Sequence, residues 1–245
     1  MPELRLTRLD VLVTRNGLAE SRERAQALII AGKVRVAGET VRRPDRAVGD
    51  GEPISVEAGP GYASRGALKL APALETFAVD PMGRICADIG ASTGGFTDVL
   101  LRRGATKVYA IDVGRGLLHW RLRQDPRVVV MERVNARDLT TVPEPVSLVV
   151  VDVSFISLEK VLPAVRQAAP RAEVVALFKP QFEVGRLQVG KGGVVRDTEV
   201  IDAALSRFTS WCAENGYEVR AQAASEVTGA AGNREVFVHL APGPL

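Results

Sequence analysis

The sequence predicts an α/β protein, with a mostly parallel sheet covered by helices on both faces and a small basic α+β unit ahead of it. Three observations carry this. From Arg84 onward, short Val-rich runs alternate with amphipathic runs, the pattern of strands buried on both faces and of the helices that cover them. Within that region, Arg84 to Asp98 (RICADIGASTGGFTD) joins an apolar run to a helical run through a turn of small residues. The first 46 residues hold ten Lys and Arg against six Asp and Glu, an excess of four, while the whole 245-residue chain carries only +3. The basic excess is therefore local.

Residues 1–58 read as one compact unit. Leu6, Leu9, Leu12 and Val13 fall on one helix face, stopped by Asn16-Gly17. Ser21 is placed to cap a second helix, RERAQALIIAG, whose buried stripe is Ala25, Leu28 and Ile29. Lys33 to Arg42 alternates apolar and charged positions around Ala37-Gly38, a hairpin signal, and 53–57 reads as a strand. Residues 59–63 are a Gly- and Pro-containing linker to a second unit, 64–245. A helix is expected from Ala63 to Phe77, burying Leu68, Leu74 and Phe77, with Pro72 bending or restarting it. Strands then fit at 84–88, 107–112, 127–131, 146–152, 173–178, 217–223 and 234–240, and helices at 94–103, 115–123, 158–168 and 197–215.

Several classes are disfavoured. Two cysteines, Cys86 and Cys212, and two histidines, His119 and His239, give neither a disulfide framework nor a metal-ligand spacing, so no metal is expected. The charged N-terminus lacks a signal-peptide core, and no apolar run approaches the roughly 18 residues that span a bilayer. The expectation is a cytoplasmic protein that does not enter membranes.

In an open parallel sheet, ligands gather at the carboxyl ends of the strands. The turn Gly90-Ala91-Ser92-Thr93-Gly94-Gly95 sits at such an end and opens a helix at Phe96. It is not the dinucleotide G-x-G-x-x-G and lacks the lysine of a phosphate-cradling loop, which leaves S-adenosylmethionine as the remaining common occupant. A ligand-free tight turn is the bland alternative. Asp112, about twenty residues on, can accept hydrogen bonds from a ribose diol; Asp138 is placed for an adenine amino group, and Asp88 for the cationic amino-acid end. Singly, each is as often a helix cap or loop residue.

Asp152 ends a Val-rich strand, where a charge needs a partner. Lys179 ends another strand, Lys69 lies on the helix before the turn, and Glu235 begins the final strand. Crowding and partial burial can bring a lysine from its ordinary pKa of about 10.4 toward roughly 7–8, where it serves as a base, with carboxylates to orient it. Each lysine alone also fits a snorkelling surface residue.

The text RLDVLVTRNGLAESRERAQALIIAGKVRVAGETV resembles the S4 domain, a small RNA-binding module. From residue 62 on, SRGALKL, ADIGASTGGFTDVLL, VYAIDVG, VVDVSFISL, LFKPQFEVG, KGGVVRD and GNREVFVHL resemble, in that order, the FtsJ/RrmJ-type ribose 2'-O-methyltransferases. Together the two halves are similar to the TlyA family of bacterial rRNA methyltransferases, also called hemolysin-like. The linker, Gly59-Pro-Gly-Tyr-Ala, departs from the Arg and Trp that this family carries there. The resemblance implies a Rossmann-like sheet of seven strands with the last antiparallel, S-adenosylmethionine as cofactor, and cytidines of 16S or 23S ribosomal RNA, free or in ribosomal subunits, as substrate. It implies a catalytic tetrad of Lys69, Asp152, Lys179 and Glu235. In that tetrad Lys179 deprotonates the 2'-hydroxyl, Asp152 and Glu235 orient it, and Lys69 tunes it or contacts RNA. It implies a cofactor turn of Gly90, Ser92, Thr93, Gly94, Gly95 and Phe96. Arg5, Arg8, Arg15, Arg22, Arg24, Lys33, Arg35 and Arg65 are the RNA-binding candidates. A ribosome-assembly factor with a vestigial methyltransferase fold, a hemolysin and a small-molecule methyltransferase stand as alternatives.

Overall fold

The computed structural model describes residues 6–19, 21–56, 61–229 and 231–243. Arg5, among the RNA-binding candidates, lies outside them, as do residues 59 and 60 of the linker. The chain divides into two compact units, residues 1–61 and 62–245.

In the first unit, β1 (Leu6–Arg8) leads into α1 (Leu9–Arg15), followed by α2 (Arg22–Ile30), β2 (Val34–Val36), β3 (Glu39–Val41), β4 (Ala47–Gly49) and β5 (Ile54–Val56). β1 pairs antiparallel with β4, and β2 lies between β3 and β5, both antiparallel to it. The β2–β3 hairpin turns at Ala37 and Gly38, both at positive φ (49° and 85°), as a type I′ turn requires. Ser21 Oγ accepts the Arg24 N–H at 3.2 Å and so caps α2 as expected. Leu9, Leu12, Val13, Ala25, Ile29, Val34, Val36, Val41 and Val48 form the core. Leu6 departs from expectation. Its backbone pairs with Gly49 in β1, so the helix begins at Leu9 and the Leu6 side chain is 65% exposed.

The second unit opens with α3 (Ala67–Thr76). It starts four residues later than the sequence suggests, because Asp98 takes the Ala63 N–H at 2.7 Å and Ser64 Oγ accepts the Gly66 N–H. Its buried stripe is Ala67, Leu70, Ala73 and Leu74; Leu68, expected inside, faces outward, and the helix runs unbroken through Pro72. There follow β6 (Ile85–Ile89), α4 (Gly95–Arg102), β7 (Lys107–Asp112), α5 (Trp120–Arg123), β8 (Val128–Glu132), β9 (Leu148–Val151), α6 (Leu162–Ala168), β10 (Glu173–Phe178), α7 (Pro180–Glu183), α8 (Thr198–Glu214), β11 (Tyr217–Ala224) and β12 (Val236–Pro242). The helix expected over 115–123 shrinks to the single turn α5, with Gly116 at φ 70° in the loop before it. The helix expected over 158–168 splits into a 3₁₀ turn at Leu158–Lys160 and α6, whose first turn holds Pro163.

Seven strands form one sheet in the order β11-β12-β10-β9-β6-β7-β8. β8, β7, β6, β9 and β10 are parallel, and β12 runs antiparallel between β10 and β11. Alternate residues of each strand enter opposite cores. Ala87, Ile89, Val149, Val151, Ala176 and Val238 lie on one face, and Cys86, Val108, Val150, Val175 and Phe237 on the other. This double burial is why the strands read as continuous apolar runs.

Candidate active site

The carboxyl ends of β9 and β10 lie at one edge of the sheet. Because β12 is antiparallel to β10, its starting end lies at that same edge. The pairing of Phe178 with Val236 brings the next positions outward, Lys179 and Glu235, to one level. Asp152 follows β9 directly. Lys179 Nζ stands 2.7 Å from Asp152 Oδ1, and its hydrogen bond goes to Ser154 Oγ at 2.9 Å. Apart from this charge contact, Asp152 Oδ1 is buried and accepts no hydrogen bond within the protein. Lys69, from α3, donates to Glu235 Oε2 at 2.6 Å, with side-chain exposures of 13% and 2%. The four residues therefore form two ion pairs. The expectation that Glu235 orients Lys179 is replaced by its pairing with Lys69.

Two further residues of the VVDVSFISL segment, Ser154 and Phe155, lie near Lys179, although the sequence reading assigns a role there to Asp152 alone. Phe155 is 91% exposed at φ 65°, a conformation unfavourable for a residue with a Cβ. Its ring lies 5.2 Å from that of Phe182, and Lys179 Nζ is 6.0 Å from the Phe182 centroid. An aromatic held outward in a strained backbone beside two ion pairs is a feature that only coordinates reveal. Ser154, likewise, reads as an ordinary loop serine.

The glycine turn lies next to this edge, between β6 and α4. Gly90 has φ 84°, and a Cβ there would strike the Asp152 carbonyl oxygen, so the turn and the end of β9 are in close contact. Ser64 presses on Gly95 in the same way. Protein packing thus accounts for these glycines, and the case for a ligand rests on the acids. Asp88 is fully buried; its Oδ2 accepts Thr97 Oγ1 at 2.6 Å, while its Oδ1 has no partner. Burial, first, and the nearby Asp152 charge push its pKa up to about 7, against the lowering effect of Thr97. A buried acceptor left unpaired suits the cationic amino-acid end of S-adenosylmethionine. Asp112 accepts the Ser92 N–H at 2.8 Å and the Gly114 N–H at 2.7 Å, one on each oxygen, which leaves lone pairs for a ribose diol. Asp112 lines a narrow cleft with Ser92, Leu117, Leu118 and Glu132. Asp138 is exposed on a 3₁₀ turn after β8, beside Arg137. The Phe96 side chain is in the core, 6.0 Å from the Phe237 ring, so the residue offers a ligand its backbone alone.

In the first unit Arg8, Arg15, Arg22, Arg24, Lys33 and Arg35 are all exposed; Arg65 is exposed in the second unit, just before α3. Arg15 pairs with Asp50 at 3.0 Å. Among the described residues no group of three or more His, Cys, Asp or Glu side chains is arranged to hold a metal, and no helix is long and apolar enough to cross a membrane.

A parallel sheet closed by a reversed strand beside β10, with its acids and lysines gathered at one edge, is the plan of the S-adenosylmethionine-dependent methyltransferases. A Listeria monocytogenes protein provisionally assigned to that class shares the fold alone, at 14% identity and a TM-score of 0.55, over 74% of this chain and 100% of that one. The FtsJ-like methyltransferase family matches residues 62–241, and the S4 domain matches residues 7–54. The chain belongs to the TlyA family, in which an S4 domain precedes an FtsJ-like methyltransferase. The 16S/23S rRNA (cytidine-2'-O)-methyltransferase TlyA of Mycobacterium tuberculosis is 50% identical over 243 residues, covering 96% of this chain and 90% of that protein. A solved Streptococcus thermophilus protein, provisionally named a hemolysin, is 40% identical with a TM-score of 0.76, covering 98% of this chain and 90% of that one.

Proposed function

We propose that the chain transfers a methyl group from S-adenosylmethionine to the ribose 2'-hydroxyl of cytidines in ribosomal RNA, in 16S, 23S or both. The observation that carries this reading is the Lys179–Asp152 pair, with Ser154 alongside, a few residues from an acid-lined turn. When bound, the cofactor supplies an electrophilic methyl on a sulfonium. Asp88 would hold its amino-acid end, Asp112 its ribose and Asp138 its adenine, with the backbone of Gly90, Ser92, Thr93, Gly94, Gly95 and Phe96 around it.

A 2'-hydroxyl is a poor nucleophile, so the protein must fix its direction and give its proton somewhere to go. The Lys179 ammonium of the resting pair first gives a proton to solvent; its neutral amine then hydrogen-bonds the hydroxyl and takes its proton, and Asp152 balances the ammonium that returns. Ser154 holds Nζ on its line of approach. The Lys69–Glu235 pair supplies a second fixed dipole at the same edge. The exposed Phe155 ring offers a stacking face for the base whose ribose is presented. The S4 unit grips the phosphate backbone, which supplies most of the affinity and makes it salt-dependent. Ribosomal RNA as substrate places the work in the cytoplasm.

The test is mass spectrometry of purified 16S and 23S rRNA after incubation with the protein and the cofactor. A methyl mapped to a ribose 2'-oxygen is the expected result. RNA that binds but gains no methyl would instead favour an assembly factor with a vestigial fold. The hemolysin name of the streptococcal relative is tested separately, by leakage from liposomes, and none is expected.

A further inference from the structure

In the first unit a fully buried carboxylate, Asp10, stands behind two of the exposed arginines. Arg8 reaches it with two bonds, Nε to Oδ1 at 3.1 Å and Nη2 to Oδ2 at 3.0 Å. Arg22 donates Nε to Oδ2 at 3.0 Å, and Gln26 Nε2 adds a fourth bond to Oδ2 at 2.8 Å. The donors come from the end of β1 and from two turns of α2, so one side chain on α1 gathers them all. Asp10 is 0% exposed, yet the Arg8 and Arg22 side chains are 46% and 52% exposed. The carboxylate is hidden and the guanidiniums are not.

We propose that Asp10 is a positioning residue for RNA binding, holding Arg8 and Arg22 as a fixed two-guanidinium clasp for a backbone phosphate. This rests on the proposed rRNA function and deepens it. The charge balance suits an anion, since two guanidiniums against one carboxylate leave the group with a net positive charge. Gln26 fills a remaining acceptor position without adding charge. Arg22 bonds Asp10 through Nε, so the fork that its two terminal Nη groups make is not the edge spent on the carboxylate, and that fork pairs in plane with phosphate. Long arginine side chains lose rotamer freedom when they bind; side chains already pinned have less to lose, so a phosphate binds them more tightly. An ion pair used merely to tie α1 to α2 would be a weak stabiliser, given the cost of burying a carboxylate.

Asp10→Asn tests this through the sign of its effect. The substitution removes a negative charge from a unit that binds a polyanion. If charge alone governs binding, the variant binds purified 16S and 23S rRNA more tightly, and the clasp is overturned. If Asp10 acts by positioning, affinity falls by about tenfold at fixed salt despite the added positive charge, the scale of one charge-assisted hydrogen bond. Arg22→Lys keeps the charge and loses the fork, and the same loss is expected. If Asp10→Asn fails to fold by circular dichroism, Arg22→Lys decides alone, and affinity equal to that of the unaltered chain overturns the proposal. Methyl transfer by the unaltered chain is measured in parallel. Its absence would count against the function, whereas a tighter Asp10→Asn complex counts against the clasp.

Discussion

Asp88 has a proton to lose that it does not lose at the usual pH. It is buried under the turn with one oxygen unpaired, and burial pushes its pKa up from the ordinary carboxylate range to about 7. The unfolded chain ionises this group above pH ~4 and the folded chain only near 7, so the unfolded state binds fewer protons across that window. Stability should therefore fall as pH rises from about 4 to about 7, then level off. Asp88→Asn should leave the melting temperature unchanged at pH 4 and raise it at pH 8, while weakening cofactor binding. Thermal melts across the window would show this, and an unaltered slope would mean that another group titrates. Lys69 and Glu235 make a different case. Removing one partner of a buried pair strands the other charge, so Lys69→Met and Glu235→Gln should each destabilise the fold by about 3–5 kcal/mol. Lys69→Met combined with Glu235→Leu should recover most of that loss without recovering methylation. Lys179→Ala should abolish methylation yet retain cofactor binding in a titration; substantial residual turnover would remove Lys179 from the role proposed. The strand-end positions of Asp152 and Lys179 made them legible as a site. Which carboxylate meets which lysine was not, because that depends on β12 being inserted beside β10.

Among the elements, the β9–α6 connection holds most of what the sequence concealed. Its strand is an apolar run anyone would mark, but the turn after it places Phe155 at φ 65° with its ring in solvent, an orientation no period encodes. Phe155→Gly should relieve the backbone and hold or raise the melting temperature, since left-handed φ costs a non-glycine residue about 1 kcal/mol or more. It should also lower the catalytic efficiency toward rRNA while leaving cofactor affinity alone. If efficiency is untouched, the ring has no part in presenting the base. Elsewhere the departures have local causes. Leu6 was lost to a strand whose partner, β4, is only three residues long and follows Pro44, too short to announce itself. Leu68 faces outward because the buried stripe of α3 runs through Ala67, Leu70, Ala73 and Leu74, and a residue two positions from Leu70 lies on the opposite side of the helix.

At the scale of the whole molecule, the division at residue 61 predicts a division of labour. Deleting residues 1–58 should leave cofactor binding intact and destroy methylation of rRNA, as seen by isothermal titration and by methyl incorporation. A truncated enzyme that methylates rRNA at the full rate would place substrate recognition in the second unit instead. The alternation of strands and helices made the sheet readable in advance, because each buried strand had to be apolar on both faces. The order of the strands in the sheet was a matter of topology that composition does not carry.

That order also sets a timetable. β12 is the last of the described strands to leave the ribosome during synthesis, yet it lies between β10 and β11 and brings in Glu235. Until it emerges, β10 has one side open, β11 has no partner in the sheet, and Lys69 lacks its partner Glu235. A nascent chain can thread five parallel strands and still lack the Lys69–Glu235 pair at their carboxyl ends.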